Sequence, residues 1–250
     1  MNTTETVQLK KETFCRGCWE QMHMPVAIRG PLSYLFKPFG IHKSQMHPNL
    51  CTICESMFTK VNKEKQISVN VTILFADLRG YTQLSQVVDV TGMNRMLHSF
   101  YDACSAAVWP QDGIVNKFIG DAVLAIFNYP LVREHHITNA ITAAIHLQQQ
   151  TQQIKDTIGL DPSHSVGIGI GIHTGMCNIG EVGNSYKDFT AIGPVVNLAS
   201  RLQGAAASGE IILSEDTYKM IHHDYPGLES KSYSLKGFDQ EIKGFVLRNY

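Results

Sequence analysis

Apolar positions along the chain change period several times, and each change marks an element. Val69, Val71, Ile73 and Phe75 alternate in a β-rich run, which predicts a strand over about 69–77 with a buried face. Met93, Met96, Leu97, Phe100, Tyr101, Cys104 and Val108 recur at helical spacing, predicting an amphipathic helix over 92–108 that Trp109-Pro-Gln-Asp-Gly breaks. Two β-rich runs, 114–119 and 122–127, flank Gly120-Asp121; glycine first in a two-residue turn predicts a type II′ hairpin with Asp121 at its tip. A long helix is expected over about 133–157, with Ile137, Ala140, Ile141, Ala144, Ile145 and Leu147 mostly on one face and His135-His136 as its solvated start. Gly159 to His164 read as a loop.

Val166-Gly-Ile-Gly-Ile-Gly-Ile-His then alternates strictly. Its glycines keep strand periodicity and open no helix, so they leave one bare face that another element can approach closely. Strands at 176–182 and 187–192, a helix at 195–207 after Pro194, a strand at 210–213, a helix at 215–222 and strands near 231–235 and 242–248 complete the pattern. This order predicts an α+β sandwich with helices on one face of a mainly antiparallel sheet.

Composition narrows the setting. A chain of 250 residues holds one domain, or one domain with an appendage. Its net charge of −1 with mixed signs argues against a nucleic-acid surface. No apolar run is long enough to span a membrane, and Met1-Asn-Thr-Thr-Glu lacks the features of a signal peptide, so a cytoplasmic setting without membrane insertion is expected. The charged segment Lys60-Val-Asn-Lys-Glu-Lys marks an expected boundary, dividing a Cys-rich segment, 1–62, from a larger domain, 63–250.

Four of the six cysteines lie in that first segment, as Cys15-Arg-Gly-Cys18 and Cys51-Thr-Ile-Cys54. Each C-x-x-C turn aims two sulfurs at one point, so the pairs can converge on a zinc ion or an iron–sulfur cluster. His23, His42 and His47 lie between the pairs and are candidate replacements for a cysteine. Buried or reversibly oxidised thiols are the plainer alternative. Cys104, Cys177 and His173 read as structural.

The remaining chemistry centres on two carboxylates. Asp77 ends an apolar strand, where a charge is costly unless a cation compensates it. Asp121 has the same apolar flanks, in Lys-Phe-Ile-Gly-Asp-Ala-Val-Leu. Together they point to a hard-cation site for a phosphate-bearing substrate.

Phe75-Ala-Asp-Leu-Arg-Gly-Tyr-Thr, Lys117-Phe-Ile-Gly-Asp and Asn197-Leu-Ala-Ser-Arg, in this order, resemble the catalytic domain of class III adenylate and guanylate cyclases, of the bacterial adenylate cyclase type. The resemblance covers about 67–248 and implies a ferredoxin-like core with extra elements. It also implies a C2 homodimer whose sites lie between subunits, the metal aspartates coming from one and the substrate residues from the other.

By that resemblance Asp77 and Asp121, with the Leu78 carbonyl, hold two Mg²⁺ or Mn²⁺ ions. Lys117 and Thr190 read the base, Asn197 orients the ribose, Arg201 meets the α-phosphate, and Lys236 binds the triphosphate tail. Asn197 and Arg201, spaced i, i+4, share a helix face. A lysine donates to adenine N1 and a threonine hydroxyl accepts from N6, whereas guanine presents a donor at N1; ATP is therefore the expected substrate and cyclic AMP the product. Ser185 replaces an arginine the family uses on the β- and γ-phosphates, with Lys187 or Arg79 as candidate substitutes; Pro194 stands where an acidic residue is frequent. The alternatives are a cyclase of a guanine or pyrimidine nucleotide, or a metal or redox sensor whose cyclase-like domain binds nucleotide without turnover.

Overall fold

The computed structural model describes residues 11–55, 67–156, 166–182 and 188–248. The expected loop at 159–164, the boundary at 60–65, Ser185 and Lys187 lie outside these residues.

Strand β1 (Ile67–Arg79) pairs along its whole length with β4 (Gly167–Val182), and on its other edge with β3 (Ala122–Phe127). It is buried on both faces, with Leu74, Ala76 and Leu78 on one side and Val71, Ile73 and Phe75 on the other. Adding β2 (Ile114–Ile119), β5 (Asp188–Ile192), β6 (Ile211–Ser214), β7 (Glu229–Tyr233) and β8 (Ile242–Leu247) gives an eight-stranded sheet. Its order is β2-β3-β1-β4-β6-β8-β7, with β5 paired to the far end of β4. Among the described strands only β4 and β6 pair in parallel.

A short helix α1 (Arg16–Met22) lies in the Cys-rich segment, and a single turn α2 (Tyr81–Leu84) follows β1. Helix α3 (Val90–Val108) starts where the Asp89 carboxylate caps the Gly92 N–H at 2.9 Å. It packs with α4 (His136–Gln149) on the first face, burying Met96, Phe100 and Leu147 fully; each such side chain contributes about 1.5–3 kcal/mol. The expected long helix is two. The Gln150 N–H closes back on His146 and Leu147, and α5 (Thr151–Asp156) sets off anew to bury Ile154. His136 is not solvated either: it is buried against the Thr72 hydroxyl at 2.7 Å.

The breaks expected in the glycine-rich region are absent, because β1 pairs continuously with Gly167 through Ile179. Helices also occupy both faces rather than one. Helix α6 (Pro194–Ala205) packs Val195 and Ala199 on the second face, against Val71, Ile73 and Cys177, while residues 15–54 cover that face over β1 and the β2–β3 hairpin, and Leu202, Ala206 and Leu235 cover Ile212 and Val246. A strand apolar on both sides needs two covering layers. The last helix, α7 (Glu215–Ile221), is capped by Ser214 and buries Ile221 in the first core. No helix among the described residues is long and apolar enough to cross a membrane.

Candidate functional site

The hairpin β2–β3 forms as its sequence predicts. Gly120 has φ +61° while Asp121 keeps a negative φ, as a II′ turn requires, and Ile119 pairs Ala122 across it. Tyr101 fixes the turn, stacking on Phe118 at 3.9 Å and donating its hydroxyl to the Gly120 carbonyl at 2.6 Å.

Asp77 pairs in register with Ala122, and the Leu78 N–H donates to the Asp121 carbonyl at 3.1 Å. Asp77, Leu78 and Asp121 thus meet at one corner of the sheet. A strand residue sends its N–H and C=O to the same side, so the Leu78 carbonyl also faces the hairpin.

The electrostatics of this corner favour a cation. Burial, then the charge of Asp121, pushes the Asp77 carboxyl above the usual carboxylate range, against the pull of Arg79 and Gln203. Its Oδ2 accepts from Arg79 Nη1 and Gln203 Nε2, each at 2.9 Å, while its Oδ1 is buried without a hydrogen-bond partner. An orphaned carboxylate oxygen beside a second carboxylate fits a divalent ion, which would satisfy the lone pairs and cancel the repulsion.

Arg79 is not free to grip a phosphate, as a substitute for the missing arginine would have to be. Its guanidinium is tied to Asp77, to the Ala206 carbonyl at 3.0 Å and to the Gln203 carbonyl. Gln203, nearly fully buried on α6, was not visible as a site residue in the sequence. Its only signal is its helix, shared with Asn197 and Arg201.

The other expected site residues are placed as follows. Asn197 and Arg201 are exposed on α6, and among the described residues neither side chain is hydrogen-bonded to Asp77 or Asp121. Lys236 is exposed between β7 and β8. Lys117 is half-buried on β2, just past a register shift after Val115, and Thr190 lies on β5 opposite Gly180. The chain thus brings Asp77, Leu78 and Asp121 to one corner, with Asn197, Arg201 and Lys236 exposed.

The N-terminal cysteines form a second centre. All four are free thiols with at most 1% exposure, and their sulfurs lie within 4.8 Å of one another. Contacts run Cys15–Cys54 at 3.5 Å, Cys18–Cys51 at 3.4 Å and Cys18–Cys54 at 3.4 Å. The Cys51 thiol is held well below its ordinary range by the neighbouring sulfurs of Cys15, Cys18 and Cys54. The histidines do not join. His47 bonds Trp109 and Asn49, His23 bonds the Trp19 carbonyl, and His42 bonds the Lys43 carbonyl.

Comparison with known proteins agrees with this architecture. Residues 63–249 match the family described as the adenylate and guanylate cyclase catalytic domain. An adenylate cyclase of Anabaena cylindrica is 31% identical over 180 residues, covering 69% of this chain and 34% of that protein. Guanylate cyclase 32E of Drosophila melanogaster is also 31% identical, over 67% of this chain and 14% of that protein. The match thus spans about a third or less of these curated relatives. Among solved structures, the adenylyl cyclase CyaB of P. aeruginosa superposes with a TM-score of 0.68 at 28% identity, covering 74% of this chain and 97% of that one. The guanylyl cyclase Cya2 shares the fold, with a TM-score of 0.65 at 24% identity over 72% of this chain and 92% of that one. With the two aspartates at the corner of this sheet and the match running over most of its length, the chain belongs to the family of adenylate and guanylate cyclase catalytic domains.

Proposed function

We propose that this chain is an adenylate cyclase, converting ATP to 3′,5′-cyclic AMP and pyrophosphate at the interface of a cytoplasmic homodimer. Residues 63–250 are the catalytic domain in this reading, and 1–62 an accessory Cys-rich segment. The observation that carries it is the Asp77–Asp121 corner, where a buried oxygen lacks a partner and two carboxylates repel. Two Mg²⁺ or Mn²⁺ ions bound there would lower the cost of activating the ribose 3′-oxygen and of releasing pyrophosphate.

The chain's own residues then divide the work. Asp77, Asp121 and the Leu78 carbonyl hold the ions, while Arg79 and Gln203 keep Asp77 oriented. Asn197 orients the ribose so that its 3′-oxygen lines up with the α-phosphorus. Arg201 meets the negative charge on the α-phosphate as the new P–O bond forms and the bond to pyrophosphate breaks. Lys236 binds the triphosphate tail. The exposure of Asn197, Arg201 and Lys236 supports a site completed by a second copy, each subunit lending one half to the other.

Base choice rests on Lys117 and Thr190, whose donor and acceptor suit adenine N1 and N6. A guanine reading is kept as the rival because guanylate cyclases are among the relatives. Incubating the protein with Mn²⁺ and ATP or GTP, and identifying products by mass spectrometry, tests both. Cyclic AMP is expected, vanishing in Asp77→Ala; cyclic GMP alone would overturn the base assignment, and no product from either would overturn the activity.

A further inference from the structure

The four N-terminal cysteines are too close together for a multi-iron cluster and too well enclosed for exchangeable thiols. A two-iron cluster binds the cysteines as one pair on each iron and a four-iron cluster binds each to its own iron, so in either case the intervening sulfides part cysteine sulfurs on different irons well beyond contact. A single tetrahedral ion with metal–sulfur bonds of about 2.3 Å sets them about 3.8 Å apart. The contacts of 3.4–3.5 Å and the 4.8 Å limit on the group match that edge.

The surroundings are built for thiolates. Cys15 Sγ accepts from the peptide N–H of Cys18 at 3.5 Å and of Cys51 at 3.2 Å, and Cys51 Sγ from that of Cys54 at 3.5 Å. Cys15 caps α1, so its sulfur sits at the positive end of that helix. Gly17 leaves the room: a Cβ there would come within 2.8 Å of Cys54 Sγ and 3.0 Å of Leu50. With four protein ligands and no open position, the site is structural rather than catalytic. Four thiolates in a tetrahedron suit zinc, which also binds such sites more tightly than ferrous iron.

The tetrad also has a mechanical connection. Arg16, next to Cys15, pairs with Asp112 at 2.5 Å, and Arg133 reaches the same carboxylate at 2.5 Å and Glu20 at 3.0 Å. Burial opposes the charge of Asp112, but these two guanidiniums hold its carboxyl below the usual range. The Met46 carbonyl accepts from Trp109 Nε1 at 2.8 Å and from the Val115 N–H at 3.2 Å. His47 bonds the Trp109 carbonyl at 3.1 Å. Every one of these bonds except Arg133–Glu20 lands on residues 109–115, the run that enters β2 and so leads to Lys117 and Asp121. Beneath them, Leu50, Val26 and Ile28 pack with Ile114, Leu124 and Ile126 of the hairpin.

We propose that Cys15, Cys18, Cys51 and Cys54 hold one structural zinc ion, and that this zinc-clamped segment braces the β2–β3 hairpin through residues 109–115. Neither statement depends on the cyclisation reading; a fall in turnover on zinc loss follows only if that reading holds.

The test uses the full chain purified without chelator. Elemental analysis is expected to give one zinc per chain and no acid-labile sulfide, and cobalt exchanged into the protein should show the absorption of a tetrahedral tetrathiolate. Iron with sulfide, mononuclear iron, or a metal-free protein whose cysteines all react with a thiol reagent in the native state would overturn the site. For the brace, hydrogen exchange is compared with zinc bound and after its removal by a mercurial. Exchange across 109–127 should rise at least tenfold while α3 and α4 stay protected. Unchanged exchange there would overturn the coupling, and global loss of protection would overturn a local brace. Because cysteine variants can fail to fold, Asp112→Asn supplies a second arm: zinc is expected to stay at one per chain while exchange at 109–119 rises, and unchanged exchange refutes the role of Asp112.

Discussion

The bare face of β4 offers a sharp test, because one substitution at three positions should have three outcomes. At Gly171 an added Cβ would lie 2.2 Å from the Gln203 backbone nitrogen, 2.4 Å from the Ala199 carbonyl oxygen and 2.8 Å from Gln203 Cα. All three are backbone atoms of α6 and cannot rotate away. Restoring ordinary contact near 3.4 Å requires the helix to lift by about 1 Å, loosening Val195, Ala199 and Leu202 from the sheet. Overpacking of this kind costs about 1–3 kcal/mol, and an immovable neighbour puts Gly171→Ala at the upper end, about 3 kcal/mol. For a chain this long that lowers the melting temperature by about 6–12 °C. At Gly175 the nearest atom is Val195 Cγ2 at 3.5 Å, so Gly175→Ala should stay within about 2 °C of the parent, the lower chain entropy of alanine offsetting small losses. At Gly169 the clash is with the Arg79 guanidinium at 2.4 Å, a side chain that can shift only by giving up its bonds to Asp77 and to two carbonyls at the end of α6. Gly169→Ala should melt between the other two variants, losing the part-buried bonds of Arg79, and should weaken Mn²⁺ binding by releasing Arg79 from Asp77. Differential scanning calorimetry of the three variants decides the matter. A Gly171→Ala protein melting within 2 °C of the parent, or a Gly175→Ala protein equally damaged, would refute the claim that the glycines exist to admit α6.

The remaining predictions concern titration and base choice. His47 is pushed down to about 4, chiefly by burial, from an ordinary value of 6.5; its Nδ1 accepts from the Asn49 N–H and so must stay unprotonated in the fold. Since the unfolded chain takes up this proton first, its contribution is intact above pH 6.5 and is lost as pH falls towards 4, by about 2 kcal/mol at pH 5. Denaturant titrations at pH 7.5 and 5 should show that His47→Asn, which keeps an acceptor near Nδ1, loses less stability than the parent; equal losses would refute the assignment. The raised pKa of Asp77 has the opposite sense: its carboxylate charge weighs against the metal-free fold once pH exceeds the unfolded value. In chelator at pH 7.5, Asp77→Asn should melt no lower than the parent but gain nothing from Mn²⁺, and a lower melting point would contradict the reading of that corner. Finally, Lys117→Glu combined with Thr190→Cys should raise the ratio of GTP to ATP turnover at least tenfold, as the resemblance implies; an unchanged ratio would remove both residues from base selection.

What the sequence disclosed, and what it withheld, follow from the range of the interactions involved. The hairpin tip was readable because Gly120-Asp121 encodes its own turn, and the placement of Asp121 beside Asp77 then follows from strand pairing. The glycine face of β4 was readable as an approachable surface, but not what approaches it, since the contact between Gly171 and Gln203 joins residues brought together only by the fold. Arg79 shows the same limit more sharply. By position it was a candidate phosphate ligand, yet two carbonyls at the end of α6 and the Asp77 carboxylate claim its donors. The paired cysteines announced convergence through their spacing, whereas the long segment between them hid its compactness: bonds such as Arg29 to the Pro48 carbonyl at 2.6 Å and to Asn49 at 2.9 Å draw its ends together. Alternation along β1 predicts one buried side, whereas Leu74, Ala76 and Leu78 are as apolar as Val71, Ile73 and Phe75 on the other, so helices cover both. That double burial is what leaves the second face to α6 and the cysteine segment together. It places the helix bearing Asn197 and Arg201 and the segment bearing the four thiols on one layer, both in contact with the strand that carries Asp77. The cysteine segment and α6 thus share one apolar cluster with Val71, Ile73 and Phe75, the residues that lead along β1 to the corner where the two carboxylates meet.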